Sequence, residues 1–467
     1  MVFTSHIFVF YFLPLVLFSY WLIPPRFRNL FLIFVSYLFY GWWKPWFVLL
    51  MLASTIVDYL CGKTISNPAT STRGKTAALV CSITANLGLL GFFKYYMFFG
   101  ENLNTLLNLV GSETFSILHI TLPIGISFYT FQSMSYTIDV YRGRAPAVRS
   151  FTDLACFVSL FPQLIAGPIV RYRTIAAQLV RRTHNWERLA SGASLFILGF
   201  SKKILLANPI GAVADAVFWA ESAGALEAWF GVTAYAFQIY FDFSGYSDMA
   251  LGLGRILGFD FPRNFASPYR AESITEFWRR WHISLSTFLR DYLYVPLGGN
   301  RKGPSRTYVN LMIVMLVGGL WHGAGWTFLV WGAYHGALLG LERWNGKGSF
   351  YAFLPVPARK GATFVLVLFS WVLFRAPNLG QAGDYLGFMF GFHSEQASAA
   401  LLSAQIFTPA NLLIFAVAGV FAFGAAEAEP WTRRLSWPKV MALLCLFLGS
   451  LIVMSGQAFN PFLYFQF

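Results

Sequence analysis

The sequence predicts an all-α polytopic membrane protein, and three observations carry that prediction. Charged residues make up 12% of the 467-residue chain, against about 25% in soluble domains. Hydrophobic residues make up 57% of it, and mean hydropathy is +0.57. Aromatic residues reach 19%, with 50 Phe among them; Phe suits lipid, while Trp and Tyr suit the headgroup boundary. A chain of this composition is not divided into soluble domains by its length, so residues 1–467 are read as one transmembrane domain.

A spanning helix needs about 20 apolar residues, fewer where the segment is re-entrant or broken. Candidate stretches run over 3–23, 29–43, 46–61, 76–99, 117–138, 151–170, 190–217, 229–257, 308–341, 361–375, 408–424 and 440–456. The stretch 308–341 is long enough for one broken span or two short ones. Together they predict about ten to twelve membrane elements. The first, MVFTSHIFVFYFLPLVLFSYWLI, lacks a basic leader and a small-residue cleavage site, so it reads as a retained helix.

The connections carry the net charge of +14. PPRFRN, the loop holding Lys63, Arg73 and Lys75, YRGRAPAVR, RYRTIAAQLVRRTHNWER and the segment from Arg255 to Arg306 are all basic. In a membrane protein this reads as cytoplasmic loops beside anionic lipid, not as a nucleic-acid surface. With Arg26 and Arg28 inside, the N-terminus lies outside. Two of these basic loops flank the single stretch FTDLACFVSLFPQLIAGPIV, which contains Pro162, Gly167 and Pro168. A re-entrant hairpin reconciles the loops, and a kinked ordinary span is the alternative. The region 342–361 reads as an interhelical loop. Cys61, Cys81, Cys156 and Cys445 stand singly without a metal-ligand spacing, so neither zinc nor a disulfide framework is implied.

Chemistry concentrates in three segments. In GGLWHGAGW (318–326) a histidine sits within a run free of Asp, Glu, Lys and Arg from Arg306 to Glu342. An imidazole there needs a hydrogen-bond partner or a function. The glycines around Trp321 and His322 point to close backbone packing or a helix break. His335 would face away from His322 on one continuous helix.

The second segment, SITEFWRRWHISLSTFLRDYLY, opens with Ser273 three residues before Glu276, which fits a capping box. Its aromatic and aliphatic residues recur at helical spacing with Arg279, Arg280 and Arg290 off the stripe, as on an interfacial amphipathic helix. His282 beside the stripe reads as a structural histidine or a functional one. The third, YFDFSGYSDMALGLG, holds Asp242 and Asp248 in a polar interruption. It suits partners for Arg or His across a bundle, or a helix break lining a polar cavity. No nucleophile elbow, phosphate loop or metalloprotease motif occurs. Imidazole chemistry on an alcohol or thiol is what remains.

These segments, with LPIGISFYTFQSMSYTIDVYRG, FPQLIAGPIVRYR and the terminal FLYFQF, resemble the membrane-bound O-acyltransferase family in its bacterial polysaccharide branch. The resemblance extends from Met1 to Phe467. It implies a ring of membrane helices with re-entrant elements around a tunnel. His322 matches the family's WHG histidine and His282 its second polar position, so both are expected as catalytic residues. Trp321, Asp242, Arg279 and Arg280 are expected to contact substrate, although Arg279, Arg280, Arg301 and Lys302 also read as positive-inside anchors. The resemblance further implies a cytoplasmic donor, acetyl-CoA, and no permanently bound cofactor. It implies a periplasmic acetyltransferase partner of the SGNH type, other exopolysaccharide-complex subunits, and residence in a bacterial inner membrane. Alginate is the expected polymer, with cellulose or another polysaccharide next. A transporter of acetyl donor or protons, using the histidines as relays, and a non-catalytic scaffold are the other classes.

Overall fold

The computed structural model describes residues 1–346, 348–392, 397–457 and 463. These form helices and their connections, with no strand among the described residues. Among the described residues, five helices are long and apolar enough to cross a membrane: Trp46–Ser66, Thr72–Leu109, Trp186–Phe218, Val356–Arg375 and Trp437–Gly456. Ala399–Ile406 and Pro409–Phe423, bent by 65°, make a sixth if they act as one broken span. Several of the other expected stretches fold into elements shorter than 18 residues. The stretch 117–138, for instance, becomes helical only at Ile126.

The chain divides into two compact units, residues 1–193 with 249–262, and residues 194–248 with 263–467. In the first, Trp46–Ser66 packs on Thr72–Leu90 and Ile126–Tyr141. A buried polar knot joins them. Asp58 accepts hydrogen bonds from Ser82 Oγ at 2.5 Å and from Asn86 Nδ2 at 2.9 and 3.0 Å. Ser82 Oγ lies 2.8 Å from Thr137 Oγ1. Apolar solvent makes such internal pairing obligatory.

The stretch 151–170 is broken, as its prolines foretold. Phe151–Ser159 is a nine-residue helix, roughly 14 Å long at 1.5 Å per residue and too short for a bilayer core of about 30 Å. A bend at Leu160 and the single turn Phe161–Leu164 follow. Every residue from Leu154 to Tyr172 is buried, so the irregular backbone is enclosed by protein, as it must be at membrane depth.

In the second unit, 308–341 resolves into two helices, Pro304–His322 and Trp326–Trp344. The chain reverses between them at Gly323–Gly325, and small residues let the backbones touch. A Cβ on Gly319 would stand 2.2 Å from the Phe328 carbonyl oxygen, and one on Gly332 would stand 2.4 Å from that of Met315. Gly319→Val is therefore expected to lower folded membrane abundance several-fold, since forcing backbones apart costs about 1–3 kcal/mol. Gly361→Ala, with nothing within 4 Å of its Cβ, is the control expected to show no loss. Immunoblots of washed membranes read both.

The polar run in YFDFSGYSD does not break its helix. Ala225–Ile256 is one 32-residue helix, because each carboxylate meets a lysine from the π-helical turn Lys202–Ala207. Lys203 Nζ lies 2.7 Å from Asp242 Oδ1, and Lys202 Nζ 2.7 Å from Asp248 Oδ2. Of the terminal FNPFLYFQF only Leu463 lies within the described residues. It is buried, and its N–H donates to Asp242 Oδ2 at 3.0 Å.

Candidate active site

The amphipathic stretch that begins at Ser273 is two short helices, Ile274–Arg280 and Ile283–Leu289. Its start is fixed three ways. Ser273 Oγ accepts the Glu276 N–H at 3.0 Å. The buried Glu342 carboxylate accepts the Ile274 and Thr275 N–H groups at 2.6 and 2.8 Å. Glu276 caps the Glu272 N–H instead of the Ser273 N–H, so the expected capping box forms only in its serine half. Carboxylates at a helix N-terminus satisfy orphan donors and oppose the helix dipole.

The break between the two helices is at His282, a feature the 3.6-residue periodicity conceals. His282 adopts φ 42° and ψ 54°, and only it and Ser267 among the described non-glycine residues have positive φ. Such a conformation costs about 1–3 kcal/mol and clusters at functional sites. The loop around Asn264 holds it there. The Ile283 N–H donates to the Asn264 carbonyl at 2.9 Å. Asn264 Oδ1 lies 3.1 Å from His282 Nδ1 and accepts from Ser284 Oγ at 2.9 Å and the Ser284 N–H at 3.3 Å. His282 is fully buried, with Phe243 edge-on at 4.7 Å between ring centroids. Burial lowers its pKa below the usual histidine range, which favours the neutral ring.

His322 ends the Pro304–His322 helix, just before the glycine turn. Its ring centroid lies 6.2 Å from that of His282 and 5.0 to 5.3 Å from those of Trp321, Phe374 and Trp331. The ring lines a cavity of about 490 Å³ whose wall also includes Trp278, Arg279, Ser286, Arg290 and Trp331. One imidazole, two guanidinium groups and an otherwise largely apolar wall thus share one chamber. This arrangement can hold an anionic, partly apolar molecule and move a proton at its wall.

The structure joins some of the residues singled out from sequence and separates others. His322, His282 and Trp321 cluster, and Arg279 shares the cavity with His322. Arg280 is engaged elsewhere, donating to Glu276 Oε1 at 2.6 Å and to the Ala266 carbonyl at 3.1 Å. Asp242 is held by Lys203 and Leu463 and is not on the cavity wall. His335 is nearer than one continuous helix would place it, because the turn folds its helix back. It accepts the Trp278 indole N–H at 3.3 Å and packs 5.0 Å from Trp331 between ring centroids. Sequence reasoning missed Asn264, which stands in a loop without periodicity, and the part of Trp331, which reads as one more apolar residue.

The profile of the membrane-bound O-acyltransferase family matches residues 144–354, a span containing both histidines. The chain is 44% identical to a probable alginate O-acetylase of Pseudomonas putida, with all of both chains covered. It is 38% identical to a peptidoglycan O-acetyltransferase of Helicobacter pylori over 84% of this chain and 80% of that one. It is 27% identical to a teichoic acid D-alanyltransferase of Bacillus subtilis over 54% of this chain and 67% of that one.

Proposed function

Because this chain belongs to the membrane-bound O-acyltransferase family, we propose that it is the membrane subunit that supplies acetyl groups for O-acetylation of an exopolysaccharide, alginate. The observation that carries the proposal is His322 on the wall of a chamber shared with Arg279 and Arg290. The names of the relatives support the same chemistry, since each moves a small acyl group onto a cell-surface polymer. Full-length identity favours alginate over the other polymers.

The donor in this reading is acetyl-CoA, whose phosphates suit the two arginines and whose thioester suits the apolar end. An acceptor hydroxyl oxygen attacks the acetyl carbonyl carbon and the C–S bond breaks. His322 takes the hydroxyl proton as general base and returns it to the leaving thiolate, giving an ester and a free thiol. His282, fully buried next to it, orients the site. Trp321 packs edge-on against both imidazoles.

The chain resides in a bacterial inner membrane with its N-terminus in the periplasm, as the basic loops suggest. A periplasmic SGNH-type acetyltransferase completes transfer to the polymer. Mass spectrometry of the secreted polymer, with and without this chain, tests the proposal. Loss of O-acetyl from alginate is expected. Unchanged acetyl content would contradict it, and loss confined to another polymer would reassign the substrate.

A further inference from the structure

We propose that Asn264 is a positioning residue that fixes His282 as its Nδ1–H tautomer, leaving Nε2 as a bare acceptor nitrogen. The inference rests on the acyltransfer reading of the site for its consequence, but not for its geometry.

The argument begins with the amide. Oxygen and nitrogen of an asparagine side chain are told apart by their partners. A backbone N–H can only donate, and the Ser284 N–H points at Asn264 Oδ1. Ser284 Oγ lies against the same atom at 2.9 Å. That atom is therefore the carbonyl oxygen, which can only accept. His282 Nδ1, 3.1 Å away, must then carry the proton. In a neutral imidazole the other nitrogen is bare.

His282 Nε2 has no hydrogen-bond partner among the described residues, although it is buried. Buried polar atoms are rarely left so, and each exception needs a reason. The backbone adds to the case. His282 holds a left-handed conformation, and the same loop that imposes it, through the Ile283 N–H on the Asn264 carbonyl, also clamps the ring. Side chain and main chain of one residue, Asn264, thus set both the rotation and the protonation of the imidazole.

The consequence is specific. A bare Nε2 can take a hydrogen bond or a proton and cannot give one. His282 therefore serves the site as an acceptor and does not polarise the donor's carbonyl oxygen. The ring is fully buried and off the cavity wall, so its partner is a donor within the protein, and the His322 ring is a neighbour.

Nitrogen NMR of the full chain in nanodiscs with ¹⁵N-labelled histidine reads the tautomer, His282 being assigned by comparison with His282→Asn. A protonated Nδ1 and bare Nε2 are expected, and the reverse pattern overturns the proposal without touching the acyltransfer reading. Polymer acetylation at matched membrane abundance gives the second readout. Asn264→Leu, which removes the acceptor, is expected to lower acetylation about tenfold, the equivalent of one lost hydrogen bond. Asn264→Asp keeps an acceptor oxygen and is expected to restore most of it. Wild-type acetylation in Asn264→Leu, or equal loss in both variants, overturns the role. Should the leucine variant not fold, the NMR pattern of the unsubstituted protein still decides.

Discussion

Replacing His322 by Ala is expected to cut polymer acetylation by about 10²–10⁴-fold, the usual contribution of a positioned general base, at unchanged membrane abundance. The expectation follows from where the ring sits. It closes a helix, and one face of it meets open volume instead of packed side chains. Removing it enlarges a chamber that already exists, so the fold loses little. The chemistry loses its only cavity-lining imidazole among the described residues. His322→Gln fills the same space and keeps hydrogen-bonding atoms, but an amide does not accept a proton near neutral pH. It is expected to be as inactive as the alanine variant. Polymer acetyl content, normalised to membrane-inserted protein by immunoblot, makes the measurement. Undiminished acetylation in either variant would remove the role.

The second large effect is expected at Lys203. Its ammonium and the Asp242 carboxylate are 2.7 Å apart, with side chains 4% and 2% exposed. Lys203→Met strands a buried carboxylate, which typically costs about 3–5 kcal/mol. The single variant is expected to be nearly absent from the membrane or to melt far below the parent. Adding Asp242→Asn removes the stranded charge and retains an oxygen for the Leu463 N–H, so the double variant is expected to recover most of the loss. Thermal stability in detergent, followed by size-exclusion chromatography with fluorescence detection, reads the series. The double variant is also expected to keep acetylating polymer, because Asp242 lies off the cavity. A stable but inactive double variant would return Asp242 to the substrate-contacting group.

Much of this was legible in the sequence for reasons that are physical and local. A 12% charge content cannot solvate a chain of this length, so the membrane class followed. Pro162 and Pro168 remove backbone donors, and the stretch around them is broken. Glycines flanking Trp321-His322 meant close backbones, and the two helices there touch through Gly319 and Gly332.

What stayed hidden depended on partners distant in sequence. Asp242 was singled out as a substrate contact, and its ion pair with Lys203, 39 positions earlier, was not visible in the sequence. Arg280 was read as a substrate contact or a positive-inside anchor, and its bonds to the Ala266 carbonyl and Glu276 were not visible there. His282 sat in an unbroken helical pattern, yet tertiary contacts with the Asn264 loop outweighed helix propensity and bent the chain into a left-handed turn. His335 was placed by assuming one continuous helix, and the reversal at Gly323–Gly325 brought it against Trp331.

The central claim, that His322 stands on the wall of the donor's chamber, is tested most directly by chemical footprinting. Diethyl pyrocarbonate modifies accessible imidazoles, and peptide mass spectrometry locates the adduct. On the full chain in nanodiscs, His322 is expected to react and acetyl-CoA to slow that reaction. His282 and His335, both 0% exposed, are expected to stay unmodified. A His322 that never reacts in active protein, or one whose rate ignores acetyl-CoA, would contradict the account.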